Sequence, residues 1–139
     1  MTAIAATPPA ARPGLAIDRT LWTLQIVLGL FFIIASAIPK FVGQADAVRI
    51  FGEIGIGAWF MYFTGLVELA GGIGLLIYRL SGAAAVGLSI TTVCAAATQA
   101  FILDSPAGAI FPLVLAGLFA WIAYRRRDSI AALRALVSR

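Results

Sequence analysis

Four apolar runs decide what this chain can fold into. Residues 21–39, 59–78, 83–103 and 107–124 contain a single charged side chain, Glu68. Each run reaches about 27–32 Å as a helix, at about 1.5 Å per residue, enough to cross a hydrocarbon core of about 30 Å. A lipid interior offers backbone groups no water, so such runs must satisfy their own hydrogen bonds as helices. The composition agrees: 62% of the residues are hydrophobic and 12% charged. An ordinary soluble domain has about 45–50% and about 25%, so a soluble globule and a disordered chain are both excluded. The expected fold is all-α, an integral membrane four-helix bundle. Trp22, Trp59, Tyr78, Trp121 and Tyr124 fall near the ends of the runs, where aromatic rings favour the membrane–water interface.

The rest of the chain frames these runs. Residues 1–14 are rich in Ala, Thr and Pro without an apolar period and read as a disordered tail. Residues 15–127 read as the four-span domain, and 128–139 as a separate helix. Between runs two and three, Arg79-Leu80-Ser81-Gly82 reads as the connection. Between three and four, Asp104-Ser105-Pro106 places Ser105 as a helix N-cap and Pro106 at the first helical position. Only residues 40–58 leave room for structure between spans. There Ile50, Phe51 and Ile54 share one helical face and Asp46, Arg49 and Glu53 another, the pattern of a short amphipathic helix on the membrane surface. Arg12, Arg19 and Ala35-Ser36-Ala37 mimic a signal peptide, but the apolar run is long for one and reads as the first span.

Basic residues set the expected orientation. The chain has ten Lys and Arg against six Asp and Glu. Arg12, Arg19, Arg79, Arg125, Arg126, Arg127, Arg134 and Arg139 flank one side of the membrane, Lys40 and Arg49 the other. The positive-inside rule then places both termini in the cytoplasm. The same distribution argues against a nucleic-acid partner, because the cations sit at membrane flanks. After the Arg run, Ile130, Leu133, Leu136 and Val137 recur at helical spacing and read as a cytoplasmic interfacial helix resting on anionic lipid.

The chain has no histidine and one cysteine, Cys94. That excludes His-ligated haem or metal, paired-cysteine zinc, an intramolecular disulfide and a His-based triad. Cys94 itself reads as a small apolar packing residue. Chemistry is left to Glu68, near the bilayer midplane, where a charge costs at least about 2.5–3.5 kcal/mol. Thr64, Gly65, Gly71 and Gly72 lie on its helix face, so that face should pack against spans one and three. Two readings stand: a neutral carboxyl bridging helices, and a titrating or ligand-binding carboxyl. Equal depth in span three falls near Cys94 and in span four near Ala116 and Gly117. Thr91, Thr92 and Thr98 are expected to bond their own backbone. Gln99, nearer the outer end, cannot hide so easily and is a candidate ligand-binding residue. Lys40, the only lysine, ends span one. It reads either as snorkelling to the interface or as a cation at the mouth of a Glu68 cavity. Its axial offset from Glu68 exceeds one side chain, which leaves open whether the two meet, directly or through water or a ligand headgroup; desolvation is expected to keep Glu68 largely protonated at neutral pH. Tyr62, between the two in depth, could add a hydroxyl.

These residues resemble the DoxX-like family of small four-helix membrane proteins, from about Leu28 to Arg127. The resemblance rests on Ala35-Ser36-Ala37-Ile38-Pro39-Lys40-Phe41, on Phe51-Gly52-Glu53-Ile54-Gly55-Ile56, and above all on Tyr62-Phe63-Thr64-Gly65-Leu66-Val67-Glu68-Leu69-Ala70-Gly71-Gly72. Where many relatives carry a His near the outer end of span three, Gln99 stands here. The resemblance implies a bundle in the bacterial plasma membrane. Members are similar to a subunit of thiosulfate:quinone oxidoreductase, others associate with redox-defence systems, and a distant branch assists ion-channel assembly.

The leading functional expectation is an accessory or quinone-binding subunit of a membrane oxidoreductase, not a stand-alone enzyme. In it Glu68 is the proton-exchanging, catalytic carboxyl, and Lys40, Tyr62, Gly65 and Gln99 line the ligand site. No metal site and no covalently bound cofactor are expected; a quinone or a lipid is the candidate ligand. Membrane lipids, a partner subunit and a second copy of the chain are the candidate partners. The alternatives are a non-catalytic assembly or lipid-binding protein and a proton-coupled transporter. Small multidrug resistance proteins also have four spans and one buried Glu, but theirs lies in the first span.

Overall fold

A computed structural model describes residues 13–139. Seven α-helices follow in order: α1 (Pro13–Leu30), α2 (Ile38–Phe41), α3 (Ala45–Ile54), α4 (Ala58–Leu76), α5 (Tyr78–Phe101), α6 (Ile110–Arg125) and α7 (Arg127–Val137). A π-helical stretch, Phe31–Ala37, joins α1 to α2, and a 3-10 turn, Pro106–Ala109, leads into α6. Four of these helical stretches are long and apolar enough to cross a membrane: Gly14–Phe41, Ala58–Leu76, Tyr78–Phe101 and Pro106–Arg125. The chain is an integral membrane helical bundle.

The first span is longer than its apolar run. Pro13 and Gly14, expected in a tail, open α1 instead, because Pro suits a helix's first turn, where no N–H partner is needed. Residues 1–12 of that expected tail lie outside the described residues. The turn between spans two and three also departs from expectation. It is the single residue Ile77, extended at φ −107°, ψ 114°, and Arg79 to Gly82 already belong to α5. Ser81 and Gly82 looked like turn residues for a different reason: both are buried where α7 packs. Pro106 does start the fourth span, but the Ser105 side chain makes no capping bond.

Spans one and two meet backbone to backbone. A Cβ on Gly29 would lie 2.9 Å from the carbonyl oxygen of Gly72, and one on Gly72 would lie 2.8 Å from that of Gly29. Small residues allow this approach, the usual basis of helix packing in lipid. Spans two and three close similarly near their shared turn, where a Cβ on Gly71 would overlap Leu88. Leu21, Leu28, Phe32, Leu75, Leu88, Leu115, Phe119 and Ile122 fill the centre. Phe32 and Phe119 meet edge to face at 5.3 Å, which joins span one to span four. Large apolar side chains such as Leu66, Ile73, Phe111 and Val114 point outward, as a lipid-facing surface requires.

The amphipathic segment is helical as expected. α3 ends at Gly55, which caps it in the left-handed region at φ 77°. On its polar face Arg49 pairs with Asp46 at 3.6 Å and Glu53 at 3.1 Å. α3 lies at the end of the bundle opposite both termini, called here the distal end. The expected C-terminal helix is present as α7, but it docks on protein rather than resting on lipid alone. Ser129 is buried, and its Oγ accepts a hydrogen bond from the Gly82 N–H at 3.2 Å. Leu136 and Val137 remain exposed.

Candidate functional site

The π-helical stretch and α2 deliver Lys40 to the bundle interior. Its Nζ donates to the Ser36 carbonyl at 2.9 Å, to Ser36 Oγ at 3.2 Å and to Glu68 Oε2 at 2.6 Å. Three donors thus meet three acceptors, and the ammonium is saturated. Both partners are nearly buried, with 13% and 10% of their side-chain surface accessible. The contact that depth along the chain left open is therefore made, as a direct salt bridge of 2.6 Å.

The axial offset closes for a simple reason. A helical side chain leans toward the N-terminus of its own helix. Span one runs toward the distal end, so Lys40 leans back toward the midplane. α4 runs the other way, so Glu68 leans toward the distal end. Gly65 brings the backbones close enough for contact: a Cβ there would stand 3.2 Å from Lys40 Cβ and 3.4 Å from the Phe41 ring. Gly65 thus serves the pair by packing rather than by touching a ligand.

Beside the pair lies a cavity of about 520 Å³, in the usual range of about 300–1,000 Å³ for small-molecule sites. Lys40 and Glu68 stand in its wall, and α3 covers it through Ala47, Ile50 and Phe51. The Lys40 ammonium lies 6.0 Å from the Phe51 ring centre, a cation–π contact. Span three contributes Thr91, Cys94, Thr98 and Gln99. Thr91 and Thr98 turn their hydroxyls onto carbonyls one turn back, at 2.9 Å each, as expected. The Gln99 side chain makes no hydrogen bond to the described residues and stays available to an occupant. Glu68 Oε1 is likewise without a protein donor among them.

Two expectations change here. Cys94 is exposed on the cavity wall rather than packed. Tyr62 is exposed, at 45%, and lies apart from the cavity. Depth alone placed it between Lys40 and Glu68, but at 100° per residue it sits about 120° around the helix from Glu68. Ala116 holds two spans together instead of facing Glu68. Its carbonyl accepts a bond from Ser89 Oγ at 3.0 Å, tying spans three and four.

A second polar cluster, at the termini end, was missed. Arg126, read as a free flanking charge, is 6% exposed. Its Nη1 donates to Asp18 Oδ1 and its Nε to Gln25 Oε1, both at 2.8 Å. Gln25 Nε2 donates in turn to the Leu75 carbonyl at 2.8 Å, which the sharp turn at Ile77 leaves free. The guanidinium sits 5.3 Å from the Trp22 ring and 5.0 Å from the Tyr78 ring. The signal was present in the chain: Asp18, Trp22 and Gln25 fall on one helical face, and a lone Gln in an apolar span needs a partner.

A sequence model described as the DoxX-like family matches residues 23–123. No curated protein and no solved structure gives a significant match. The matched stretch contains Lys40, Glu68 and Gln99, the polar lining of the cavity, and leaves out α7 and Arg126. With nearly the whole four-span frame accounted for, the chain belongs to the DoxX-like family.

Proposed function

We propose that this protein is the quinone-binding subunit of a membrane oxidoreductase, with the cavity beside Lys40 and Glu68 as the binding site. The observation that carries this reading is the 2.6 Å ion pair in the wall of a cavity lined mainly by apolar side chains. Glu68 Oε1 offers an acceptor to a quinol hydroxyl, and the Gln99 amide offers a donor to a quinone oxygen. Reduction of a quinone takes two electrons and two protons and forms two O–H bonds. Glu68, its charge held by Lys40, exchanges the proton of one ring oxygen; Gln99 hydrogen-bonds the other ring oxygen, whose proton is exchanged with water at the distal surface. A chain with no histidine and one cysteine carries no ligand set for its own metal centre, so the electrons come from a partner subunit. The reading places the protein in a bacterial plasma membrane with both termini cytoplasmic.

The test is extraction of the protein purified in mild detergent, followed by an oxidised-minus-reduced absorbance spectrum of the extract. The expected result is close to one quinone per chain for wild type. Lys40→Met and Glu68→Gln should each lower it by about tenfold, the loss of one charge-assisted bond of about 1.5–3 kcal/mol. Wild type devoid of quinone, when its membranes contain it, overturns the proposal; a partner protein retained under those conditions would then point to an assembly role.

A further inference from the structure

We infer that the cavity opens sideways into the membrane leaflet at the distal end, through a portal between spans two and three, and that it takes a single-tailed amphiphile with an uncharged polar head whose tail stays in the lipid. The inference rests on the reading of this cavity as the binding site and adds the ligand's shape, charge and route.

The portal follows from the course of the cavity wall around two helices, at 100° per residue. On α4 the wall starts at Glu68, in the bundle interior, and passes Thr64 and Val67 to Phe63, about 140° away and 52% exposed. On α5 the side facing α4 is marked by Leu88, which touches Gly71. From there the wall runs through Thr98 and Cys94 to Ile90, about 160° away and 60% exposed. On both helices one continuous wall therefore runs from interior to lipid-facing surface. Toward the turn at Ile77 the two helices touch, where Gly71 meets Leu88 and a Cβ on Gly74 would lie 2.8 Å from Ala84 Cβ. Toward the distal end both helices contribute to the cavity wall, through Phe60, Phe63 and Thr64 on one and Cys94, Thr98 and Gln99 on the other.

Charge selects the head. Lys40 is neutralised by Glu68, and Asp46, the other charged residue of the wall, by Arg49 at 3.6 Å. No net charge faces the occupant, so an ionic head would be desolvated without a counter-ion. A neutral polar head finds the free oxygen of Glu68 and the Gln99 amide.

Two measurements test the portal. A nitroxide on Cys94, the only cysteine, in phosphatidylcholine nanodiscs should relax strongly with dissolved oxygen and weakly with a water-soluble nickel chelate. Strong relaxation by the chelate, or by neither reagent, overturns the portal. Separately, tailless duroquinone and a quinone with a full polyisoprenyl tail should bind wild type equally, compared at equal mole fraction in the membrane. Ile90→Trp, a bulky residue at the lipid-facing end of the wall, should weaken the tailed quinone about tenfold or more and duroquinone far less. Val93→Trp, exposed but outside the cavity wall, should change neither. Duroquinone binding without the tailed quinone would overturn the portal and leave the quinone reading standing. Binding of neither would overturn the quinone reading and the amphiphile, and the nitroxide alone would then decide whether the wall is open.

Discussion

Lys40 and Glu68 each stood out in the sequence as polar residues in apolar surroundings, yet their contact did not. Spacing along a chain gives depth, and depth put them more than one side chain apart. What spacing omits is direction: on antiparallel helices both side chains lean toward each other, and a saturated ammonium results. The same omission misplaced Tyr62, whose depth was right and whose azimuth was not. The pair's energetics yield a test at this scale. Removing one member leaves the other buried without a counter-charge, which costs about 3–5 kcal/mol. Lys40→Met should therefore destabilise the protein by about that much in denaturant titrations in micelles. Lys40→Met combined with Glu68→Leu should recover most of it, because no charge remains to be desolvated. A double variant no more stable than the single one would show that the pair is not the source of the loss.

Helices were the most legible level. Apolar length located all four spans, and the two-faced pattern of residues 45–54 located α3. Boundaries were not legible where a residue type serves two purposes. Gly82 carries the look of a turn, but it is there to admit α7. A Cβ at that position would meet Ser129 Oγ at 2.6 Å and the Arg126 carbonyl at 2.7 Å. Gly82→Leu should release α7 and speed tryptic cleavage at exposed Arg134 severalfold, read by mass spectrometry. Glycines in this bundle can be sorted by what surrounds them. Gly72→Ala drives a methyl against the Gly29 carbonyl at 2.8 Å and should cost about 1–3 kcal/mol. Gly117 has nothing within 4 Å of its added Cβ, so Gly117→Ala should be neutral or stabilise by up to about 1 kcal/mol through helix propensity. Thermal unfolding of the two variants side by side distinguishes packing from propensity.

For the molecule as a whole, polar contacts gather at the two ends of span one and leave its middle apolar. At the distal end Lys40 is bound to span two; at the other end Asp18 and Gln25 are bound to Arg126 and Leu75. Burial of Arg126 and Lys40 trims the charge count that set the orientation. Among the described residues, Arg19, Arg79, Arg125, Arg127, Arg134 and Arg139 remain on one side and Arg49 on the other, so the bias keeps its sign. Ser138→Cys should react with an impermeant maleimide only after the membrane is breached, and Gln44→Cys should react from outside, both in a Cys94→Ser background. Labelling of position 138 from outside would reverse the orientation. The two clusters also impose an order in time. A membrane chain emerges from its N-terminus, so span one reaches the bilayer first, carrying Asp18, Gln25 and Lys40 with none of their distant partners yet made. Glu68 and the Leu75 carbonyl arrive with span two and can take up Lys40 and one end of Gln25. Asp18 and the other end of Gln25 must wait for Arg126, just past the fourth span, so span one is fully satisfied only after all four spans have been made.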